Sequence, residues 1–414
     1  MRIGIFTETY TPYISGLVTS VVVLKKALEN LGHDVYIVTA NLDSFNYEYD
    51  EKEKILKIPG VPTGLYDSRL TAVYPIKAVN IIKSWKLDVI HSQTEFAIGT
   101  FSRLIAYQFN IPLVHTYHTM YEDYVHYITK GFFDKSSKLI VEYLTKFYCD
   151  KTATELIVPT KKTYDLFKEK YQVDKNIHII PTGIELEKFY VENIDKNKLK
   201  ELKKRLDLKK EDFVGLFVGR LGKEKNVLFL IEVVKNLVAE LPNFKLLIVG
   251  DGPDFEEYKT LIRKENLTEN ILMTGKVCQE EVPFYYHISD IFLTASVTET
   301  QGLTVMEAAA SGIPPICIDD ESFKLVIVDG LNGRMFKNKK ECALIIKELY
   351  EDRKLLNKIS KQARINAERY GSKHFAQSVV EVYKYAIANK ETRFGIIGKW
   401  FGKLKGDENE TDNT

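Results

Sequence analysis

Short apolar runs alternate with longer amphipathic segments along the whole chain, and this alternation predicts strands and helices that follow one another. Runs such as VGLFVG and KLLIVG are almost continuously apolar. Strands of that kind are buried on both faces, which is typical of parallel sheets covered by helices. The predicted strands are Arg2–Thr7, Asp34–Thr39, Asp88–His91, Leu113–Tyr117, Glu155–Pro159, Ile177–Pro181, Phe213–Val218, Phe244–Val249, Ile271–Thr274, Asp290–Thr294 and Pro315–Ile318.

The pattern restarts halfway along the chain, which predicts two domains. The helical segment Leu17–Leu31 ends before Gly32, the residue type expected just after a helix. Val191–Asp212 is polar and dense in charge, with one short helical stretch, and has the composition of a linker or hinge flank. The predicted fold class is α/β, with two doubly wound, Rossmann-like domains facing across a cleft. We place them at residues 1–190 and 191–372, followed by a final helix at 373–390, packed back on the first domain, and a tail at 391–414.

Length and composition agree with a folded two-domain enzyme. The chain has 414 residues, and 45% of them are apolar and 28% charged. The 58 Lys and Arg residues nearly balance the 57 Asp and Glu residues, so no overall positive field favours a nucleic-acid partner. Because the four cysteines form no CxxC pair, we interpret them as buried small side chains in a reducing compartment; they are Cys149, Cys278, Cys317 and Cys342.

Several common signals are missing. The apolar run in MRIGIFTETY is too short for a signal peptide, and no stretch of about 18 apolar residues could span a bilayer. We therefore expect a cytoplasmic protein without a transmembrane helix. The loop TETYTPYISG contains no GxGxxG, which disfavours an NAD-dependent enzyme, and the absence of GxxxxGK[ST] disfavours a P-loop NTPase.

The segment SVTETQGLTVMEA combines a loop carboxylate, a glycine and the start of a helix. The free N–H groups of a first helical turn, near Leu303, suit a diphosphate, and Gly302 would allow close approach. Glu307, four residues into the helix, could accept both hydroxyls of a ribose, while Glu299 would lie nearer the other half of the ligand. An ordinary strand-to-helix turn with a capping glutamate is the alternative.

The segment GRLGKEKN follows the first strand of the second half. Arg220 can bind two phosphate oxygens at once and Lys225 can add a point charge, as a departing diphosphate requires. A solvated, charged loop is the alternative.

Together these motifs resemble the retaining glycosyltransferases of the GT-B fold. The resemblance rests on the E-x7-E spacing of Glu299 and Glu307, on GRLGKEKN, on Gly16 and on PTGI, and it covers about residues 1–390. It implies that Arg220 and Lys225 hold the donor diphosphate. It further implies these contacts: Gly16 with the diphosphate, Glu307 with the ribose, Glu299 and the amides of Gly302 and Leu303 with the donor sugar, and Val277 with the base.

The string HTYHTMYEDYVHY resembles, within that family, the bacterial diacylglycerol glucosyltransferases. The resemblance implies that His118 reaches the donor hexose and takes part in catalysis. His115 is better explained by an aromatic cluster that satisfies its own hydrogen bonds. The spacing of the histidines fits no standard zinc pattern, so we predict no metal site.

Two segments have a composition suited to binding an anionic membrane surface, with cations beside apolar side chains. Packing on the protein itself is the alternative for both. In Lys130–Asp150 the membrane-facing residues are Lys130, Phe132, Phe133, Lys135, Lys138 and Lys146. In the tail they are Arg393, Ile397, Lys399, Trp400, Phe401, Lys403 and Leu404.

The resemblance thus implies a retaining enzyme that moves glucose from UDP-glucose to 1,2-diacylglycerol. His118, Glu299, Arg220 and Lys225 would be its catalytic residues. We expect no tightly bound cofactor, although stimulation by Mg²⁺ stays open, and no obligate protein partner. The partners would be a UDP-sugar, diacylglycerol and an anionic membrane, at the cytoplasmic face of the cell membrane. Two alternatives are the addition of a second sugar to a monoglycosyl diacylglycerol and a non-catalytic scaffold that binds nucleotide sugars. The choice between glucose and galactose also stays open.

Overall fold

The structure, a computed structural model, describes residues 1–13, 15–62, 69–118, 146, 149, 152–299 and 301–390. The chain divides into two compact units. The first unit contains the described residues of Met1–Pro159, Thr163–Pro181 and Lys373–Thr414, and the second contains those of Thr160–Lys162 and Thr182–Ser372. The second unit thus begins before residue 191, because Leu186 and Phe189 are buried in its core.

The first unit is built, in its described residues, on a nine-stranded sheet with the order β3-β4-β2-β1-β6-β7-β8-β9 and with β5 paired to β4. The strands are β1 (Arg2–Thr7), β2 (Asp34–Asn41), β3 (Glu48–Asp50), β4 (Ile55–Pro62), β5 (Arg69–Thr71), β6 (Val89–Ser92), β7 (Leu113–Thr116), β8 (Glu155–Val158) and β9 (Ile177–Ile179). The helices before the second unit's own elements are α1 (Gly16–Asn30), α2 (Ile76–Trp85), α3 (Ala97–Gln108) and α4 (Lys161–Asp165), which runs into a π-helical turn at Leu166–Lys170.

The strand order of this sheet reverses beside β1. The chain runs outward from β1 through β2 to β4, and then returns to the other side of β1 with β6, in parallel register at Ile3↔Val35 and Ile3↔Val89. The loops that follow β1 and β6 therefore meet at the carboxyl edge of the sheet, the place where doubly wound folds bind ligands. We call this place the first switch point.

Helix α1 shows why the sequence signal at Gly32 was reliable. Gly32 has φ +82°, a left-handed conformation that favours glycine. Its N–H donates to Glu29 O and the N–H of His33 donates to Leu28 O, which closes the helix with the two hydrogen bonds of a Schellman motif.

The second unit contains a six-stranded parallel sheet in the order β12-β11-β10-β13-β14-β15. Its strands are β10 (Phe213–Val218), β11 (Phe244–Val249), β12 (Ile271–Gly275), β13 (Ile291–Thr294), β14 (Pro315–Ile318) and β15 (Arg334–Phe336). Its helices are α5 (Lys196–Arg205), α6 (Val227–Leu237), α7 (Phe255–Lys264), α8 (Val282–His287), α9 (Leu303–Ala310), α10 (Lys339–Glu351) and α11 (Arg353–Ala367). The order reverses between β10 and β13, which defines the second switch point.

The two sheets confirm the predicted α/β class. Helix α12 (Ser372–Ala388) follows the second unit in sequence but packs in the core of the first, where Phe375, Val379 and Tyr383 are buried with side chains of β1 and α1. In the described residues, none of the helices has the length and apolar composition needed to cross a bilayer.

One sequence interpretation needs correction. Cys278 is exposed, because it lies in the loop beyond the end of β12, whereas Cys149, Cys317 and Cys342 are buried as predicted. The polar Val191–Asp212 segment contains α5, and Leu202 of α5 is buried in the core of the second unit.

Candidate active site

The loop after β10 carries the two predicted cations of the second switch point. The Arg220 guanidinium lies 3.7 Å from the carboxylate of Glu224. Lys225 forms an ion pair with Glu299, in the loop after β13. The side-chain amide of Asn226 also donates to Ala295 O at 3.3 Å. The loops after β10 and β13 are therefore connected by side-chain contacts. The predicted cations lie in the first of these loops, and the predicted carboxylate Glu299 lies in the second.

Glu299 is held in its ionised form by this arrangement. Burial by itself raises the pKa of Glu299, but the charge and the hydrogen bond of Lys225, with a further hydrogen bond from Ser296, outweigh it and leave the pKa below its ordinary value. A carboxylate that stays charged can accept hydrogen bonds from hydroxyl groups at neutral pH.

Gly302 begins helix α9 in a conformation that favours glycine. Its φ is +75°, and a Cβ atom at this position would lie 2.6 Å from Cε1 of Phe323. Gly302 is the N-cap and has no side chain, so in the described part of this loop the N–H groups from Leu303 onward form the positive end of the helix dipole without a side-chain acceptor from the cap. This is the feature expected of a diphosphate site.

Glu307 lies one turn into α9 and contacts a residue that the sequence did not predict. The hydroxyl of Tyr286, on α8, donates to Glu307 Oε2 at 2.8 Å. Burial raises the pKa of Glu307 to about 7, and the Tyr286 hydrogen bond opposes this shift. Tyr286 fixes one carboxylate oxygen, so it orients the group that is predicted to bind a ribose.

Two further residues of the second unit stabilise the same loops. Gln301 accepts from the N–H of Thr182 at 2.7 Å and donates to its carbonyl at 2.9 Å, so the PTGI element is anchored to the loop before α9. Lys162 donates to Asp320 at 3.0 Å and to Val297 O at 3.2 Å. Neither residue was predicted, since the partners are far apart in sequence.

Val277 lies beyond the end of β12, at a cavity of about 320 Å³. The side chains of Arg205 and Tyr285 also line this cavity, and the Arg205 guanidinium donates to the Tyr285 hydroxyl at 3.0 Å. The cavity has room for a planar ring such as a nucleotide base, and the contact of Val277 with the base stays a prediction.

The first switch point contains His118, which follows β7. His118 Nε2 lies 2.6 Å from Oε1 of Gln93, in the loop after β6. Burial lowers the pKa of His118 to about 4, so the ring is neutral at physiological pH.

Glu8, which the sequence did not predict, follows β1 at the same edge. Its carboxylate accepts from the N–H of Ile98 at 2.7 Å, at the start of α3, and its own N–H donates to Thr94 Oγ1 at 3.2 Å. Burial raises the pKa of Glu8 to about 7 in spite of that backbone hydrogen bond. A buried carboxyl group whose pKa lies near neutral pH, at the carboxyl edge of the sheet, is a candidate functional group.

His115, three residues before His118, has a different environment. It is fully buried, its Nδ1 lies 3.0 Å from Ser92 O, and its Nε2 lies 3.0 Å from a carboxylate oxygen of Glu95. Both ring nitrogens therefore have protein partners, as a structural histidine requires. In the part of the chain that the structure describes, no three His, Cys, Asp or Glu side chains are grouped as they would be around a metal ion.

The other predicted residues are placed as follows. Gly16 is exposed as the first residue of α1, whose N-cap Ser15 accepts from the N–H of Val18 at 3.2 Å. Lys146 is half-buried. The remaining membrane-facing residues lie outside the described residues: Lys130, Phe132, Phe133, Lys135, Lys138, Arg393, Ile397, Lys399, Trp400, Phe401, Lys403 and Leu404.

Comparison with known families identifies both halves of the chain. Residues 14–188 match the model of Glycosyltransferase Family 4, and residues 199–366 match that of Glycosyl transferases group 1. Among curated proteins, the chain is 36% identical over 389 residues to the α-monoglucosyldiacylglycerol synthase of Acholeplasma laidlawii, covering 92% of this chain and 96% of that one. The synthase of the same name from Streptococcus pneumoniae is 36% identical over 377 residues, which cover 90% of this chain and 84% of that one.

Solved structures support the fold. HepE of Anabaena, crystallised in complex with UDP-glucose, superposes with a TM-score of 0.71 at 17% identity. The match covers 93% of this chain and 100% of the HepE chain. Sucrose-phosphate synthase from Thermosynechococcus elongatus gives a TM-score of 0.73 at 19% identity, with 94% and 99% covered. At these identities the likeness shows the fold alone, and it confirms the predicted GT-B architecture.

Proposed function

The chain belongs to the family of GT-B glycosyltransferases that contains the α-monoglucosyldiacylglycerol synthases, and from this premise we propose that it transfers glucose from UDP-glucose to the free hydroxyl of 1,2-diacylglycerol. The similarity to two synthases along nearly the whole chain is the observation that supports this acceptor. The cations and carboxylates at the second switch point support a nucleotide-sugar donor.

The proposed reaction retains the configuration at the sugar. The bond between the anomeric carbon and the diphosphate breaks, a bond to the glycerol oxygen forms on the same face, and the proton of that hydroxyl goes to the departing phosphate oxygen. Arg220 and Lys225 act by neutralising charge that grows on the diphosphate. Glu307 orients the ribose, with Tyr286 holding the carboxylate. No protein carboxylate has to attack the sugar in this scheme.

The donor sugar is uncharged, and the residues assigned to it fit that property. His118 is neutral, since burial lowers its pKa to about 4, and it can hydrogen-bond a hydroxyl without placing a charge beside it. Glu299 is ionised and accepts hydrogen bonds from sugar hydroxyls. Their role is to position the hexose for attack.

One assay tests donor and acceptor together. The protein is incubated with labelled UDP-glucose or UDP-galactose and with vesicles that carry diacylglycerol or monoglucosyl diacylglycerol, and the extracted lipid is analysed. We expect a labelled monoglucosyl diacylglycerol, with an α-configured anomeric carbon by NMR, from UDP-glucose and diacylglycerol only. A product formed only on the monoglucosylated lipid would assign the second sugar transfer instead. Absence of any lipid product, with UDP-glucose bound, would support the non-catalytic scaffold.

The acceptor requires contact with a membrane, which we propose to be the cytoplasmic face of the cell membrane. Exposed apolar side chains of the first unit are compatible with this contact: Phe45, Val61 and Ile76 are 67%, 66% and 71% exposed. The Arg69 guanidinium lies over the ring of Phe45 at 4.8 Å, so a cation accompanies one of them. The cationic, aromatic sequence of the tail supports the same interpretation.

Truncation after Asn389 tests the tail. It removes Trp400 and Phe401 with the neighbouring cations but none of the residues assigned to the donor. We expect weaker binding to anionic vesicles, with the larger loss at low salt where charges are least screened. Activity on a detergent-dispersed acceptor should survive better than activity on vesicles.

Two full-length variants separate the contributions of the tail. Replacing Lys399 and Lys403 by Gln should remove the salt-dependent part of vesicle binding, and replacing Trp400 and Phe401 by Ser should remove a part that salt does not change. Vesicle binding that is identical with and without residues 390–414 at every salt concentration would mean that the tail is not an anchor.

A further inference from the structure

Gln93 combines burial, a short contact and an unsatisfied polar group. It follows β6 at the first switch point and is 2% exposed. Its side-chain Oε1 lies 2.6 Å from Nε2 of His118, and among the described residues its side-chain Nε2 has no hydrogen-bond partner. A buried donor left without a partner destabilises the folded state. Such a group in a protein needs an explanation, and a ligand that accepts the hydrogen bond supplies one.

The surrounding loop holds Gln93 in place. Its backbone N–H donates to Phe6 O at 2.8 Å, which ties the loop to β1. The neighbouring Ser92 hydroxyl donates to Thr94 O at 2.9 Å, and the Thr94 hydroxyl accepts from the N–H of Glu8. The main chain is thus fixed on both sides of Gln93. The carboxamide is itself buried and in contact with His118, so its N–H groups lie beside that ring.

The contact with His118 also determines a tautomer. The carboxamide oxygen of Gln93 accepts hydrogen bonds but cannot donate them, so the proton at the 2.6 Å contact belongs to His118 Nε2. Since the ring is neutral, Nδ1 of His118 then carries no proton. Gln93 thus fixes the proton of His118 on Nε2, and its own amide N–H groups lie beside the His118 ring.

The charges nearby indicate what kind of ligand group fits there. The carboxyl groups of Glu8 and Glu95 both lie at this edge of the sheet. The negative charge of Glu95 acts to raise the pKa of Glu8 and that of His118. Arg103, a buried cation in the described part of this region, donates to Ser92 Oγ, Gly99 O and Thr152 Oγ1. Among the residues that the structure describes here, a phosphate would therefore meet carboxyl groups and a guanidinium already engaged with protein oxygens, whereas an uncharged hydroxyl oxygen can accept from the amide.

We propose that Gln93 is a positioning residue that holds His118 as the Nε2–H tautomer and donates its amide N–H to a hydroxyl oxygen of the hexose bound beside His118. The second part rests on the proposed function, because it requires a sugar donor. The first part concerns the protein alone.

Three variants test the proposal. Gln93→Met keeps the approximate shape but removes both the acceptor and the donors. Gln93→Glu keeps an acceptor for His118 Nε2–H and removes the donors. The control is Thr39→Val, on β2, because Thr39 Oγ1 is a second buried polar atom that lacks a partner among the described residues. Thermal unfolding of all three establishes that each variant is folded.

The first measurement is ¹⁵N NMR of histidine-labelled protein, with the His118 signals assigned from the spectrum of His118→Ala. Wild type, Gln93→Glu and Thr39→Val should show His118 protonated at Nε2, and Gln93→Met should show a mixture of tautomers. In Gln93→Glu the added negative charge should also raise the pH at which His118 titrates. A wild-type spectrum with the proton on Nδ1, or an unchanged tautomer in Gln93→Met, would overturn the positioning role.

The second measurement compares binding of UDP and of UDP-glucose by calorimetry. The contact is with the sugar, so both Gln93 variants should bind UDP as wild type does but lose about tenfold in affinity for UDP-glucose, roughly the worth of one buried hydrogen bond. Wild-type affinity for UDP-glucose in both variants would refute the sugar contact. If wild type binds neither nucleotide, the proposed function fails instead, and the NMR result still decides the role of Gln93 toward His118.

Discussion

The two units share a sheet topology at their switch points but differ in the charge they present there. In the second unit, Arg220 and Lys225 follow the first strand of the sheet, and Lys225 keeps Glu299 ionised. In the first unit, burial raises the pKa of Glu8 to about 7 and lowers that of His118 to about 4. The Lys225–Glu299 pair of the second unit therefore favours the charged forms, whereas Glu8 and His118 of the first unit, like Glu307 of the second, favour the uncharged forms.

The comparison shows that topology places the residues but does not set their chemistry. Both sheets deliver side chains to a carboxyl edge where the strand order reverses. What differs is the balance of desolvation against ion pairing, because a buried carboxyl group without a cation is favoured as the neutral acid. An edge with paired charges suits a diphosphate, and an edge with neutral groups suits the hydroxyls of a sugar.

The strongest test of this contrast concerns the cations of the second unit. Arg220→Ala and Lys225→Ala should each lower turnover by on the order of 10²-fold, because both side chains act on charge that grows in the transition state. Steady-state assays with the vesicle substrate measure the effect. Lys235→Ala is the matched control, since Lys235 pairs with Glu265 on the surface of the same unit and should change turnover by less than about twofold. Near-normal turnover of both test variants would remove the diphosphate role.

A second test compares two histidines of the first unit that lie three residues apart. His118→Ala should lose on the order of tenfold or more in turnover with its unfolding temperature nearly unchanged, since the ring acts on the ligand. His115→Ala should mainly lose stability, by about 1–3 kcal/mol, because it leaves the hydrogen-bonding groups of Ser92 and Glu95 without the ring. Turnover and thermal unfolding are measured on both. Equal activity losses in two equally stable variants would contradict the distinction.

Much of the fold could be predicted from the sequence because the central strands are continuously apolar. Phe213–Val218 and Phe244–Val249 have the observed bounds, since strands buried on both faces leave an unbroken signal. The strands β3, β4, β5 and β15 were missed. In β4, Lys57, Pro59 and Gly60 interrupt the apolar run. The strands β3, β5 and β15 each span only three residues at the outer part of a sheet, too short for a periodic pattern.

The candidate site divides in the same way. Glu299, Glu307, Arg220 and Lys225 could be predicted because each pair lies within one short motif. Tyr286 and Gln93 could not, because their partners lie 21 and 25 residues away in the sequence, and Glu8 contacts Ile98 across 90 residues. Only the folded sheet brings such residues together, so no local pattern marks them. The polar residues that position the predicted groups are the part that required the structure.

A third test uses pH to compare one carboxyl group from each unit. The pKa of Glu8 is raised from 4.5 to about 7 in the folded protein, so between these values the folded state keeps a proton that the unfolded state has lost. The free energy of unfolding therefore falls as pH rises toward 7, by up to about 3 kcal/mol for this group. Glu8→Gln should remove that fall. The pKa of Glu299 is lowered, so its contribution has the opposite sign: it is present above pH 4.5 and is lost as pH falls through the lowered pKa.

Thermal unfolding of wild type, Glu8→Gln and Glu299→Gln from pH 4 to pH 8 measures both effects. Glu8→Gln should gain on wild type as pH rises toward 7, whereas Glu299→Gln should gain on wild type only as pH falls below 4.5. The surface variant Glu211→Gln, at an exposed position, serves as control and should follow wild type throughout. Because the two test variants have opposite signs, a general effect of removing one negative charge cannot imitate the result. If both variants change stability in the same direction with pH, the two switch points do not differ in charge as the structure indicates.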